Sequence, residues 1–176
     1  MDLCIVGCGT VGTSIVELYA RRSLEIDSPY NDLILIDPDC GENSNYNYPK
    51  VYTLYDMALN INPVLKIHPM LGVFPDILSN FKLNKINNTV FIDCRDNNEQ
   101  SELFFLKISS DGPYGSIIKY PTNLDGIPTN YKIKKSKYYS LLTASRIIED
   151  IMNIKEPYIY TKKKSKNYII NHIIPF

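Results

Sequence analysis

The chain has 176 residues with 19 basic and 19 acidic side chains, so its formal charge cancels. That balance excludes broad electrostatic steering towards nucleic acid or an anionic membrane surface, and neither is expected as a partner. The length suits one domain over residues 1–176, burying roughly 68–70% of the surface that its unfolded form would expose.

Four cysteines, at positions 4, 8, 40 and 94, form no CxxC pair, and only two histidines accompany them. No structural zinc is expected from that set. Cys4 and Cys94 read as small apolar fillers of strands in a reducing, cytoplasmic setting. An apolar strand is expected from residue 2, and no apolar run approaches the length of a membrane span. Neither a cleavable leader nor a membrane anchor is therefore expected. Fourteen tyrosines and no tryptophan, with abundant Asn, Ile and Lys, are the bias of an AT-rich coding sequence. Tyr46, Tyr48, Tyr52 and Tyr55 read as ordinary half-buried side chains, with base stacking or partner coverage as the alternative.

Leu3-Cys4-Ile5-Val6 reads as a buried strand running into Gly7-Cys8-Gly9-Thr10-Val11-Gly12. Gly7 permits a tight turn, Gly9 leaves room for phosphate, and Gly12 lets helix and strand approach closely. A helix is expected over residues 13–25, with Ile15, Val16, Leu18 and Tyr19 towards the sheet, stopped by a polar turn through 27–32. A second strand, Leu33-Ile34-Leu35-Ile36, ends on Asp37. Strand, glycine turn, helix, strand and acid in this order form a nucleotide site at the carboxyl edge of a parallel sheet. The first-turn amides of the helix receive anionic oxygens, and Asp37 is placed to accept a ribose hydroxyl.

Residues 41–49 are polar and read as a loop. A helix is expected over 51–60, ending before Pro63. Val64-Leu65-Lys66-Ile67 reads as a third strand, and Ile77, Leu78 and Phe81 as the apolar side of a short helix. Thr89-Val90-Phe91-Ile92-Asp93 is a short β-branched run bounded by polar residues, hence a buried strand. Leu103–Ile108 and Gly115–Tyr120 read as two strands about a Gly-containing turn, either a hairpin or a parallel strand continuing into an antiparallel one. A Pro-, Asn- and Lys-rich crossover over 121–137 leads to a helix over 138–153. Residues 158–160 and 168–170 suggest a closing hairpin within 154–176, with Lys162-Lys163-Lys164 in its solvated turn and phosphate binding as that run's alternative role. The expected fold is a Rossmann-like α/β sheet, mainly parallel with flanking helices and mixed in its C-terminal half.

Asp37-Pro38-Asp39-Cys40-Gly41-Glu42-Asn43-Ser44-Asn45 resembles the segment after the second strand in the ubiquitin-activating (E1-like) superfamily. That group includes the ThiF and MoeB enzymes, which adenylate sulfur-carrier proteins for thiamine and molybdopterin synthesis. Its usual pattern there is Asp-x-Asp-x-Val-x-x-Ser-Asn-Leu-x-Arg-Gln. Lys50, Ala58 and Ile61-Asn62-Pro63 are similar to its Lys…Ala…Ile-Asn-Pro segment, and Asn62 stands twelve residues beyond Lys50. Asp93-Cys94-Arg95-Asp96-Asn97 resembles its strand-end Asp-Asn motif. The paired strands from Phe104 to Tyr120 and the helix near 138–153 follow in the same order.

The resemblance implies that ATP binds above the glycine turn, and that a ubiquitin-like or sulfur-carrier protein's C-terminal carboxylate attacks its α-phosphate. Gly7, Gly9 and Gly12 would approach phosphate, Asp37 would hold ribose, Asn45 and Lys50 would contact phosphates, and Asp96 would hold Mg²⁺. Lys50 and Asp96 are thus the catalytic candidates. A homodimer is also implied, because the family pairs around this domain.

The chain departs from the pattern at Tyr48-Pro49, where the family has Arg-Gln, and at Tyr46, where it has leucine. Neither tyrosine nor proline supplies the planar donor fork of an arginine. The loop that separates Arg-Gln from the lysine in the family is absent, which puts the aim of Lys50 in question. The family's arginine-bearing arm ahead of the first strand is not read here either. Residues 95–176 contain no cysteine, so the family's crossover nucleophile is missing. Cys8 and Cys40 lack an evident base and read as tolerated small side chains, and His68, at a strand end before Pro69, as structural. Arg95 is near the expected site in sequence, with a surface strand-end role as the alternative. These departures keep two other functions open. One is a non-catalytic scaffold or protein-interaction module with a degenerate nucleotide site. The other is an NAD-binding redox module, for which Gly7–Gly12 and Asp37 would suffice.

Overall fold

The computed structural model describes residues 1–41, 48–96, 104–111, 114–119, 137–154 and 169–173. Seven strands form one sheet in the order β3-β2-β1-β4-β5-β6-β7. These are β1 (Asp2–Val6), β2 (Leu33–Asp37), β3 (Ile67–Leu71), β4 (Thr89–Asp93), β5 (Phe104–Asp111), β6 (Tyr114–Lys119) and β7 (Ile169–Ile173). The helices are α1 (Thr10–Arg22), α2 (Lys50–Ile61), α3 (Leu83–Asn87) and α4 (Lys137–Met152). Strands β1 to β5 pair in parallel, whereas β5–β6 and β6–β7 are antiparallel. The sheet is therefore a Rossmann-like parallel one with flanking helices that turns mixed in its C-terminal half, as expected.

Alternation within the central strands builds two cores. Leu3, Ile5, Leu33, Leu35, Val90 and Ile92 face a layer containing Ile15, Val16 and Tyr19 of α1, Val51 and Leu54 of α2, and Ile147 and Ile151 of α4. Cys4, Val6, Ile34, Ile36 and Phe91 face the other way, against Phe74 and Ile77. Strands buried on both faces need continuous apolar sequence, which is why these runs are legible as strands. Helix α4 lies along α1, where the Tyr30 hydroxyl donates to the Ile151 carbonyl at 2.6 Å and Arg22 pairs with Glu149 at 2.7 Å.

Several boundaries differ from expectation. Helix α1 begins at Thr10, three residues early, because Gly9 serves as its N-cap and Gly12 lies inside its first turns. It stops at Arg22, and residues 23–25 form turns. Val64, expected in the third strand, is in an exposed turn, and β3 starts at Ile67 and includes Pro69. Proline is admissible there because β3 pairs only with β2 and edges the described sheet. The expected short helix is a 3₁₀ segment over Asp76–Asn80, with Phe81 just beyond it. Strand β5 runs parallel to β4 before turning back antiparallel into β6, which settles the two openings left for that pair. Of the expected closing hairpin, the second arm is β7, paired with β6. The first arm at 158–160, the Lys162–Lys164 run and the crossover over 121–136 lie outside the described residues.

The Ile61-Asn62-Pro63 segment has a structural role. Helix α2 ends at Ile61, and buried Asn62 donates from Nδ2 to the Ser23 hydroxyl at 3.0 Å while accepting the Val64 amide at 3.3 Å. Those bonds tie the C-terminal ends of α1 and α2 together.

Candidate functional site

Strand order reverses between β1 and β4, and such a switch point opens a crevice at the carboxyl edge of a parallel sheet. Val6 pairs with Asp93, so Gly9 and Asp96 each stand three residues beyond that last matched pair. Lys50 opens α2 on the neighbouring side, after β2 has ended on Asp37.

The three glycines do different jobs. Gly7 has a φ of +95°, which favours glycine, and a Cβ there would lie 2.8 Å from the Arg95 nitrogen. A Cβ on Gly12 would fall 2.0 Å from the Gly7 carbonyl oxygen, so turn and helix are in direct backbone contact. A methyl on Gly9, by contrast, would find nothing within 4 Å. Gly9 caps α1 without any side-chain hydrogen bond to the first-turn amides, and the first turn holds no acid. That end of α1 thus presents backbone donors and the positive end of the helix dipole to the crevice.

Asp37, 5% exposed, is spent on the backbone. Its Oδ2 accepts the Cys8 amide at 2.6 Å and its Oδ1 accepts the Asp39 amide at 2.8 Å. A carboxylate has about four acceptor positions, so two accepted amides leave capacity for a ligand hydroxyl. Cys8 is buried, its thiol directed to the Ile36 carbonyl at 3.9 Å. Burial first, and the Asp37 carboxylate second, push that thiol well above its ordinary 9.0, against an opposing pull from the Lys50 cation. Cys8 is thus a protonated packing group, in line with the small-side-chain expectation. Cys4 and Cys94 are also buried, and Cys40 is exposed.

Lys50 is not left to swing in solvent. Its Nζ donates to Asp39 Oδ2 at 2.9 Å, and its backbone amide donates to the Asp39 carbonyl at 2.9 Å. Cys40 and Pro49 form an antiparallel bridge, flanked by the Gly41 amide donating to the Tyr48 carbonyl at 3.0 Å. Residues 42–47 of the expected loop lie outside the described residues, and the bridge sets Lys50 against Asp39. Tyr48, standing where the resemblance puts an arginine, turns to the exposed face of α2, where its hydroxyl meets Asp56 at 3.1 Å and its ring lies 6.1 Å from that of Tyr52. Asn45 lies outside the described residues.

Arg95 is neither a surface residue nor directed by sequence proximity alone. Its side chain is only 15% exposed, its Nε donates to Asp93 Oδ1 at 3.0 Å, and its guanidinium lies 5.3 Å from the Phe74 ring centre. Asp93 is fully buried, so the pair locks the end of β4 against the Gly7 turn. Asp96 follows in an exposed bend. His68, expected to be structural, lies in β3 with Nε2 3.1 Å from Asp32 Oδ2, away from the carboxyl edge.

Gly7, Gly9, Gly12, Asp37 and Lys50 are therefore brought to one region, with Asp96 on the adjoining strand end. The sequence reading missed Asp39 as the partner of Lys50, and Asp93 and Phe74 as the partners of Arg95. An acid two residues before Arg95 was a visible signal. The Asp39–Lys50 contact depends on the Cys40–Pro49 bridge and had none.

No protein-family model matches the chain. Mouse ubiquitin-like modifier-activating enzyme 6 is 30% identical to it over 83 residues, covering 41% of this chain and 8% of that enzyme. The chain thus corresponds to a small part of that relative's length. E. coli MccB superposes with a TM-score of 0.62 at 13% identity, over 97% of this chain and 62% of MccB. A structure of MccB with ATP gives 0.59 at 15% identity, again over 97% and 62% of the two chains. E. coli tRNA N6-threonylcarbamoyladenosine dehydratase, TcdA, in complex with AMP gives 0.57 at 15% identity, over 86% of this chain and 84% of that one. Likeness at such identities speaks for architecture alone: the chain shares its fold with MccB and TcdA.

Proposed function

We propose that this chain binds ATP at the Gly7–Gly12 turn and adenylates the C-terminal carboxylate of a carrier protein or peptide. The observation that carries the reading is the open space over Gly9 at a helix start that no side chain caps, beside an Asp37 whose orientation two amides fix. It is supported by MccB, which has been crystallised with ATP and with MccA.

In the proposed reaction a carboxylate oxygen of the carrier attacks the α-phosphorus of ATP. The bond from that phosphorus to the bridging oxygen breaks, and pyrophosphate leaves with the electron pair. The product is an acyl-adenylate, and no residue of this chain is covalently modified. Backbone donors at the start of α1 stabilise charge on the phosphate oxygens without having to reorganise. Asp37 orients the ribose, and Lys50 contributes a cation to the polyphosphate. Asp96 would hold Mg²⁺, which neutralises phosphate charge when bound. Mg²⁺ commonly rests on one or two carboxylates and the phosphates themselves, so a single aspartate such as Asp96 would suffice. A homodimer remains part of the proposal.

A second reading is favoured by Tyr48, whose hydroxyl is engaged by Asp56 where the resemblance places a phosphate-binding arginine. In it the chain is a non-catalytic scaffold or protein-interaction module with a degenerate nucleotide site. ATP–pyrophosphate exchange with candidate carrier proteins, run beside direct ATP and NAD titrations with Mg²⁺, separates these outcomes. Exchange abolished by Asp96→Ala supports adenylation. ATP binding without exchange points to a retained pocket that has lost catalysis, and binding of neither nucleotide alongside a stable oligomer or partner complex supports the scaffold. Binding of NAD in place of ATP, or of neither, overturns the proposal.

A further inference from the structure

We infer that Asp39 acts as an internal competitor for the phosphate of the ligand, holding Lys50 until a polyphosphate displaces it. The inference rests on the nucleotide reading above and adds a residue that opposes phosphate binding at that site. Asp37 and Asp39 are chemically alike but serve different ends. Asp37 is buried and bonded to two backbone amides, whereas the Asp39 side chain is 62% exposed and bonded to a cation.

The contact is imposed by the backbone. The Cys40–Pro49 bridge sets the two flanking residues opposite each other, and the Lys50 amide donates to the Asp39 carbonyl at 2.9 Å. The Asp39 amide is anchored in turn on Asp37 Oδ1 at 2.8 Å. Both ends of the 2.9 Å Lys50–Asp39 pair are thereby fixed to the elements that frame the glycine turn. The Lys50 cation also acts on the buried Cys8 thiol, so its field reaches the turn itself.

A phosphate over Gly9 therefore meets Lys50 in competition with Asp39, and meets the Asp39 carboxylate as a like charge. Ligands carrying little negative charge gain little by breaking the pair, whereas a triphosphate offers more charge than the carboxylate it replaces. Asp39 thus lowers the affinity for any phosphate that must take Lys50 from it. An exposed ion pair is weak, so the effect is bounded at about five-fold in affinity and shrinks as salt is raised.

The test is calorimetric titration of Mg-ATP into the wild-type chain, Asp39→Asn, Lys50→Met and the double variant. Asp39→Asn is expected to tighten binding about five-fold at low salt, within the limit for an exposed pair. Lys50→Met should weaken it, and most of the gain from Asp39→Asn should vanish in the Lys50→Met background, since the two act through one contact. If the wild type binds and Asp39→Asn binds equally or more weakly, the competitor role is overturned while the nucleotide site stands. If neither the wild type nor Asp39→Asn binds, both are overturned. Thermal unfolding of each variant checks that the fold is retained.

Discussion

The carboxylate of Asp37 reaches from the end of β2 to accept the amide of Cys8 at 2.6 Å, joining the acid at one strand end to the glycine turn at another. The bond sets the path of the turn and the orientation of the carboxylate together. It also removes one turn amide from the set that can receive a ligand, leaving the start of α1 as the anion-facing donor group.

Asp37→Asn should therefore damage the turn before it damages ribose recognition. One face of the new amide would present a donor to a backbone donor, in a position that is almost fully buried. We expect a loss of about 1–3 kcal/mol in urea unfolding, the scale for an unsatisfied buried polar group, together with loss of ATP binding. Unchanged stability with unchanged binding would show that the bond is dispensable.

Gly12→Ala should be the more severe change. A methyl there would sit 2.0 Å from the Gly7 carbonyl oxygen, and that neighbour is backbone. Turn and helix must separate, and the expected loss is on the order of 3 kcal/mol or more, within the range of serious overpacking. Denaturant unfolding measures it; a variant as stable as the wild type would contradict the close approach.

The cysteines give a chemical readout. Cys40 is exposed while Cys4, Cys8 and Cys94 are buried, so a thiol reagent at mild pH should modify one of the four rapidly in the native protein and all four after unfolding. The buried Cys8 thiol is raised above its ordinary 9.0, so its stabilising contribution is complete below that pH. Above it the unfolded chain releases the proton first, the native state binds more protons, and stability falls as pH rises towards the folded value. That loss can be no steeper than about 1.4 kcal/mol per pH unit for this one group. Cys4 and the phenols of Tyr19 and Tyr30 shift in the same direction through burial, so Cys8→Ala should reduce the alkaline slope without abolishing it. A slope unchanged by that substitution would contradict the assignment.

The central fold was legible where residue type and position impose one outcome. The runs at 3–6, 33–36 and 89–93 are short, apolar and bounded by polar residues, and each forms a central parallel strand. The third strand lies beyond its expected end before Pro69, because a proline is compatible with an edge whose position only the assembled sheet reveals. Helix α1 begins ahead of its apolar spacing because its start depends on a glycine N-cap.

At the site, the glycine spacing and Asp37 were legible because the backbone geometry of such a turn demands them. The engagement of Lys50 by Asp39 was not, because it requires a bridge between Cys40 and Pro49, nine positions apart in the chain. Nor was the seat of Arg95, since Phe74 reaches it from the segment beyond β3. Sequence proximity placed Arg95 near the crevice, but only packing shows that it braces the Gly7 turn.

Gly9 offers the most direct test, because there function and folding separate. Its φ of −74° is open to any residue, and a methyl would meet nothing within 4 Å. Gly9→Ala should therefore fold, with a loss of no more than about 1 kcal/mol from the poorer N-cap. In the proposed complex the methyl would nevertheless occupy the space that a phosphate takes. Calorimetric titration with Mg-ATP should give saturable binding to the wild type and at least a ten-fold weaker affinity for a Gly9→Ala protein of near-native stability. Equal affinity in the two proteins, or no binding to the wild type, would contradict a nucleotide cradle at this turn.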